Sequence, residues 1–99
     1  MEKNMFISSD ERLKQHIKQI KKETSEIADS LKLVEFKYRD DDTGRKVYGV
    51  IAQDVEKSGL YDLIHTDEDG MLKVDYTSFI ILKLKALSDR IEKLEEKLK

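Results

Sequence analysis

Apolar residues follow a helical period at both ends of this chain and alternate with polar ones in the middle. Near the start, Leu13, Ile17, Ile20, Thr24, Ile27 and Leu31 are spaced four, three, four, three, four. That spacing predicts an amphipathic helix with Asp10 as its N-cap, and Lys18, Lys21 and Lys22 lie off the stripe. Residues 1–9 read as an extended arm in which Met5, Phe6 and Ile7 give way to Ser8 and Ser9. Leu33–Tyr38 alternates as a strand does, with Phe36 and Tyr38 on one face. Asp40–Gly44 makes a turn and Lys46–Ala52 is the returning strand, which gives a first hairpin. Gln53–Gly59 reads as one or two helical turns closed by Gly59. Leu60–His65 and Met71–Tyr76 flank the turn Thr66–Gly70 and form a second hairpin. From Thr77 onward the chain is helical, and Ile80, Leu84, Leu87, Ile91, Leu94 and Leu98 keep a strict four-three repeat. Leu84, Ile91 and Leu98 fall at heptad position a, and Ile80, Leu87 and Leu94 at d. Arg90 at g and Glu95 at the next e are spaced for an ion pair between parallel helices. The bland alternative is a long helix packed on its own domain. The fold class is α+β: small hairpins packed with helices, and a long C-terminal helix over 76–99 that reads as a coiled coil.

Composition limits what such a fold can hold. The chain has 99 residues, enough for one domain, and 40% of them are charged against 38% hydrophobic. Average soluble domains carry roughly 25% charge, so this chain has little apolar surface to bury and gains from self-association. There is no cysteine, which excludes disulfides and thiolate metal sites. No apolar run is long enough to span a bilayer, and no signal peptide is visible. A net charge of −2 argues against nucleic acid as the main partner. A nucleic-acid-binding coiled coil using the lysines of the first helix would need steeply salt-dependent affinity.

Few groups suggest chemistry. His16 and His65 lack the spacing of a zinc pair. Asp40-Asp41-Asp42 and Asp67-Glu68-Asp69 lack the calcium-loop pattern and fit exposed hairpin turns better. No glycine-rich phosphate loop occurs. No cofactor and no metal are expected. What remains is Ser9-Asp10-Glu11-Arg12-Leu13-Lys14, which sets a hydroxyl and an amine five positions apart. Serine with lysine can run nucleophilic peptide chemistry without histidine. The lysine must then be neutral, which calls for burial or nearby cations, and Arg12 is a cation close in sequence. Such a pair also arises by chance, with Ser9 and Asp10 capping a helix and Lys14 solvated.

Four segments taken together resemble a known family: residues 9–14, Gly49-Val-Ile-Ala-Gln-Asp-Val-Glu56, Val74-Asp75-Tyr76, and the terminal heptad helix. They resemble the C-terminal intramolecular chaperone and self-cleavage domain of phage tailspikes, tail fibres and neck appendages, of which the endosialidase tailspikes are the best-known members. A related domain occurs in a membrane-bound eukaryotic transcription factor family. The resemblance runs from residue 9 to about residue 95. This chain lacks the proline that members often carry near Leu60-Tyr61, which bears on that loop's shape and not on the dyad.

The resemblance implies a chaperone domain over 10–99 that forms a parallel homotrimer and sets three upstream β-stranded fibre chains in register. It then cuts itself off in a single turnover as a serine endopeptidase. Ser9 and Lys14 are the implied catalytic pair and Ser9–Asp10 the implied scissile bond, with residues 1–9 the upstream arm. The partners are other copies of the chain and the fibre region of the same polypeptide, with no nucleic acid or membrane. The place of action is the host cytoplasm during phage assembly, and the cut domain is absent from the mature virion. A non-catalytic trimerisation module is the alternative.

The scissile bond poses a chemical question. Ser9 cannot readily attack its own carbonyl, because the ring would have four members. Attack on the Ser8 carbonyl makes a five-membered ring but cuts Ser8–Ser9. An N→O shift there, attack by the serine of a neighbouring copy, and a water activated by Lys14 all stay open.

Overall fold

The computed structural model describes residues 6–99. Residues 1–5, which hold most of the expected arm, lie outside the described residues. In chain order the elements are a 3-10 turn at Glu11–Leu13, α1 (Lys22–Ser30), β1 (Val34–Phe36), β2 (Val47–Gly49), α2 (Ala52–Lys57), a second 3-10 turn at Tyr61–Leu63, β3 (Ile64–Thr66), β4 (Leu72–Val74) and α3 (Tyr76–Lys97). The α+β architecture with two small hairpins and a long C-terminal helix is as the sequence predicts.

Each hairpin is its own two-stranded antiparallel sheet. In the first, Val34 faces Gly49 and Phe36 faces Val47. In the second, Ile64 faces Val74 and Thr66 faces Leu72. Isolated hairpins are marginal, and here both lean on a small shared core of Ala28, Val50, Val55, Leu63 and Phe79, flanked by Leu31, Leu60, Ile64, Val74 and Leu82. The strands are shorter than the alternation suggests. Ala52 already belongs to α2, and Tyr61–Leu63 is a 3-10 turn rather than strand. Gly59 follows α2 at φ 93°, the left-handed conformation that ends helices and that glycine adopts without a Cβ penalty.

The first helix is much shorter than its apolar stripe predicts. Residues 14–21 are not helical, His16 sits at φ 54°, and α1 starts only after an extended Lys21. Most helical stability comes from a packed face, and within one chain α3 offers that face to α1 alone. Leu13 and Ile17 are left 74% and 68% exposed. Even inside α1 the buried face is Ser25 and Ala28, not the Thr24–Ile27 edge. Ser25 satisfies its hydroxyl by donating to the Lys22 carbonyl at 2.8 Å, and its small size with that of Ala28 lets α1 lie close against α3.

The C-terminal end of α1 is fastened to α3. Lys83 Nζ donates to the carbonyls of Leu31 (2.9 Å) and Asp29 (3.2 Å), filling acceptors a helix end leaves free. The same ammonium lies 5.6 Å from the centre of the Phe79 ring. Arg90 Nη1 reaches Asp29 Oδ2 at 2.7 Å, so the cation assigned to a pair with Glu95 of another helix has a partner within its own chain.

A second fastening joins the 49–56 and 74–76 segments. Tyr76, the first residue of α3, accepts from the Val50 N–H at 3.0 Å and donates to the Val50 carbonyl at 3.3 Å. Its ring lies where a Cβ on residue 49 would be, so an added Cβ would overlap the Tyr76 hydroxyl. This is why glycine stands at 49. Tyr76→Phe strands the part-buried Val50 amide and is expected to cost about 1–3 kcal/mol. In urea this reads as a lower midpoint at unchanged slope.

α3 carries two apolar faces. Phe79 and Ala86 are buried against the chain's own core, with Leu82 beside them. The heptad residues Ile80, Leu84, Leu87, Ile91, Leu94 and Leu98 lie on the other side and are all exposed, Leu87 at 46% and Leu94 at 59%. The helix therefore packs on its own domain and still leaves the whole heptad stripe open. The chain is elongated, 53 × 36 × 27 Å with a radius of gyration of 16.8 Å, against about 13 Å for a compact domain of this length. Among the described residues, no helix is long and apolar enough to cross a membrane.

Candidate active site

Residues 9–14 form a short loop that returns on itself. Asp10 caps the 3-10 turn by accepting from the Arg12 amide at 2.9 Å. The Leu13 amide donates to the Asp10 carbonyl and the Lys14 amide to that of Glu11. Lys14 then leaves the turn extended, at φ −113° and ψ 156°. The result brings Lys14 Nζ within 2.7 Å of Ser9 Oγ. Ser9 stands one residue before the Asp10 cap and Lys14 four residues after it, the two positions whose side chains meet at a helix entry.

Arg12 does not stand next to Lys14 as a free cation. Its Nε donates to Asp10 Oδ1 at 3.0 Å and its Nη2 to Oδ2 at 2.7 Å. These side-chain bonds, followed by the bond from the Arg12 amide, hold the Asp10 carboxyl below its usual range. Asp10 in turn raises the Arg12 guanidinium above its own. The Asp-x-Arg spacing was the available signal for this clamp, and residue-type arguments missed it. Residues 6–23 are exposed throughout in the single chain, so no wall excludes water from the pair.

The other candidates are placed as follows. In α2, Val55 is fully buried while Gln53, Asp54 and Glu56 face solvent, so the 49–56 segment builds the core and meets Tyr76. Asp41 accepts from the Thr43 amide and hydroxyl at 2.9 and 2.7 Å, which lowers its carboxyl. Asp67 accepts from the amides of Asp69 and Met71. Both acidic runs thus supply turn-closing acceptors. Among the described residues, no group of histidines and carboxylates gathers as a metal site.

A family model described as chaperone of endosialidase, Peptidase_S74, matches residues 9–63. The chain belongs to the chaperone-of-endosialidase family. The match begins at Ser9 and takes in the Ser9–Lys14 loop, α1, the first hairpin and α2. It ends at Leu63, so the second hairpin and α3 with its heptad stripe are read from this chain's own structure. No curated protein matches the chain significantly. The part of this chain matched to the chaperone-of-endosialidase family thus includes both the Ser9–Lys14 loop and the α2 segment that supplies Val55 to the core.

Proposed function

We propose that this chain is an intramolecular chaperone that trimerises through the heptad stripe of α3, aligns an upstream β-helical phage fibre or tailspike, and releases itself by autoproteolysis. The observation that carries the reading is the 2.7 Å approach of Lys14 Nζ to Ser9 Oγ at the point where the family match begins. The exposed stripe supports the assembly half. Three parallel helices bury it, and a mixed Leu/Ile seam does not favour a dimer strongly. A folded trimeric domain raises the local concentration of the chains before it and offsets the slow, non-local pairing of fibre strands. Once the domain is cut away, the fibre cannot refold through it and its persistence becomes kinetic. The domain works in the host cytoplasm during assembly and is absent from the finished particle.

In the cut, a neutral Lys14 takes the proton of the nucleophile and returns it to the leaving amide nitrogen. With water at the Ser9–Asp10 carbonyl as nucleophile, the C–N bond breaks to leave a Ser9 carboxylate and a free Asp10 amine. A neighbouring copy's Ser9 gives the same ends through an ester that water then opens. In an N→O shift the Ser9 oxygen attacks the Ser8 carbonyl, the Ser8–Ser9 bond breaks, and hydrolysis frees Ser9. Sequencing the released domain separates these routes: Asp10 as the new N-terminus fits the first two, and Ser9 fits the shift.

Ser9→Ala and Lys14→Ala should each abolish release of an N-terminal tag, read by intact mass and gel shift. Cleavage that persists in both variants removes the dyad. A parent chain that trimerises and stays whole favours a non-catalytic trimerisation module instead.

A further inference from the structure

Two cations, Arg12 and Lys14, share one short loop with the carboxylate of Asp10, and only Arg12 holds it. Both oxygens of Asp10 are taken, Oδ1 by the Arg12 amide (2.9 Å) and Nε (3.0 Å) and Oδ2 by Nη2 (2.7 Å). Lys14 Nζ is turned instead to Ser9, the residue directly before Asp10. The other ionisable groups of the segment are the Glu11 carboxylate and the His16 imidazole. Among the described residues, the side-chain hydrogen bonds and ion pairs of 9–14 close within the loop, and neither the helices nor the hairpins supply one.

We propose that Arg12 is a positioning residue for self-cleavage: by gripping both oxygens of Asp10 it keeps that carboxylate off Lys14 and leaves the lysine amine to Ser9. The proposal rests on the dyad reading above. A carboxylate within about 4–6 Å of an amine favours its charged form, and a charged amine can donate to the serine but cannot take its proton. Asp10 carries the only carboxylate covalently next to Ser9, so a released Asp10 is an anion beside the serine to which Lys14 is turned. Arginine suits the task because its fork matches both carboxylate oxygens and stays charged at every working pH. A lysine at 12 offers a single point charge. The cap from the backbone amide of residue 12 needs no side chain, so a variant there keeps the turn.

The test is the rate of tag release against pH for the full chain, in the parent, Arg12→Ala, Arg12→Lys and the double variant Arg12→Ala/Asp10→Asn. Arg12→Ala should move the rising limb up by about one pH unit, which makes release about tenfold slower at neutral pH, with the plateau at high pH unchanged. Arg12→Lys should fall between. The double variant, which lacks the Asp10 carboxylate and keeps only that of Glu11 in the loop, should shift its rising limb back towards that of the parent. Circular dichroism of each variant checks that the fold beyond the loop is kept. An Arg12→Ala profile that coincides with the parent's overturns the proposal. So does a loss that is equal at every pH and is not restored by Asp10→Asn, because Arg12 would then serve only to hold the turn. A parent that stays whole, or a Ser9→Ala chain that still cleaves, removes the dyad reading and this proposal with it. Serine-dependent cleavage with an unshifted Arg12→Ala profile removes this proposal alone.

Discussion

Leu87→Lys leaves the chain folded and monomeric. Leu87 sits at a d position midway along the heptad stripe and is 46% exposed in the single chain, so a lysine there can keep its head in water and disturbs no core contact. In a trimer the same position forms one layer of three side chains. Burying a leucine contributes about 1.5–3 kcal/mol, so the substitution removes about 5–9 kcal/mol per trimer before three ammonium groups repel each other in one layer. That loss outweighs micromolar self-association. Sedimentation equilibrium should give a trimer for the parent and a monomer for the variant, with the helical circular dichroism of α1 and α2 kept. Tag release should fall with the trimer. Residues 6–23 are exposed in one chain, so nothing in the single chain shelters the Ser9–Lys14 pair from water. A variant that stays trimeric, or a parent that is monomeric at high concentration, sinks the seam.

How much of this was legible depended on whether a signal was local. The hairpins were, because Gly44 and Gly70 close Asp-rich turns whose chemistry lies within five residues. The α3 stripe was, because its repeat is unbroken. The first helix was misread for a physical reason: periodicity marks which residues could share a face, but only a surface alongside makes the helix. α3 covers α1 from Lys22 onward, and the leading third of the stripe is left without a partner in the single chain. Leu13 and Ile17 are therefore apolar residues still waiting for burial, as is the α3 seam. The Ser9–Lys14 pair was picked out by motif resemblance, and its approach is that of the residue before a cap and the fourth residue after it. Arg12 looked like a cation for Lys14 because sequence distance was taken for charge proximity. Its partner is the carboxylate two residues back. The Tyr76–Val50 and Lys83–Leu31 fastenings span 26 and 52 residues, and no local pattern announces them.

Phe79→Ala, on the same helix as Leu87 but at a position buried in the chain's own core, should destabilise the single chain itself. Phe79 is 1% exposed and is the largest fully buried side chain in a core whose other fully buried members are Val55, Ser25 and Ala28. Truncating a buried phenylalanine costs about 3–5 kcal/mol, because the cavity cannot close. Here the Lys83 ammonium also loses the ring beneath it, worth about 0.5–1 kcal/mol. Domains of this kind have only about 5–15 kcal/mol in total. The melting temperature should drop by about 15 °C or more, with the heptad stripe chemically intact. The proposed trimer would stabilise the folded state by mass action, so the measurement needs a concentration series: the parent's midpoint should rise with concentration, and the variant's should rise in parallel from a lower start. If the midpoint moved by only a degree or two, the α1–α3 packing described here would be wrong. The pair of variants divides α3 by function. If the proposed trimer forms, Phe79 and its buried neighbours determine whether a chain folds and the exposed stripe determines whether folded chains meet, a division of labour suited to a domain that folds before it gathers other chains.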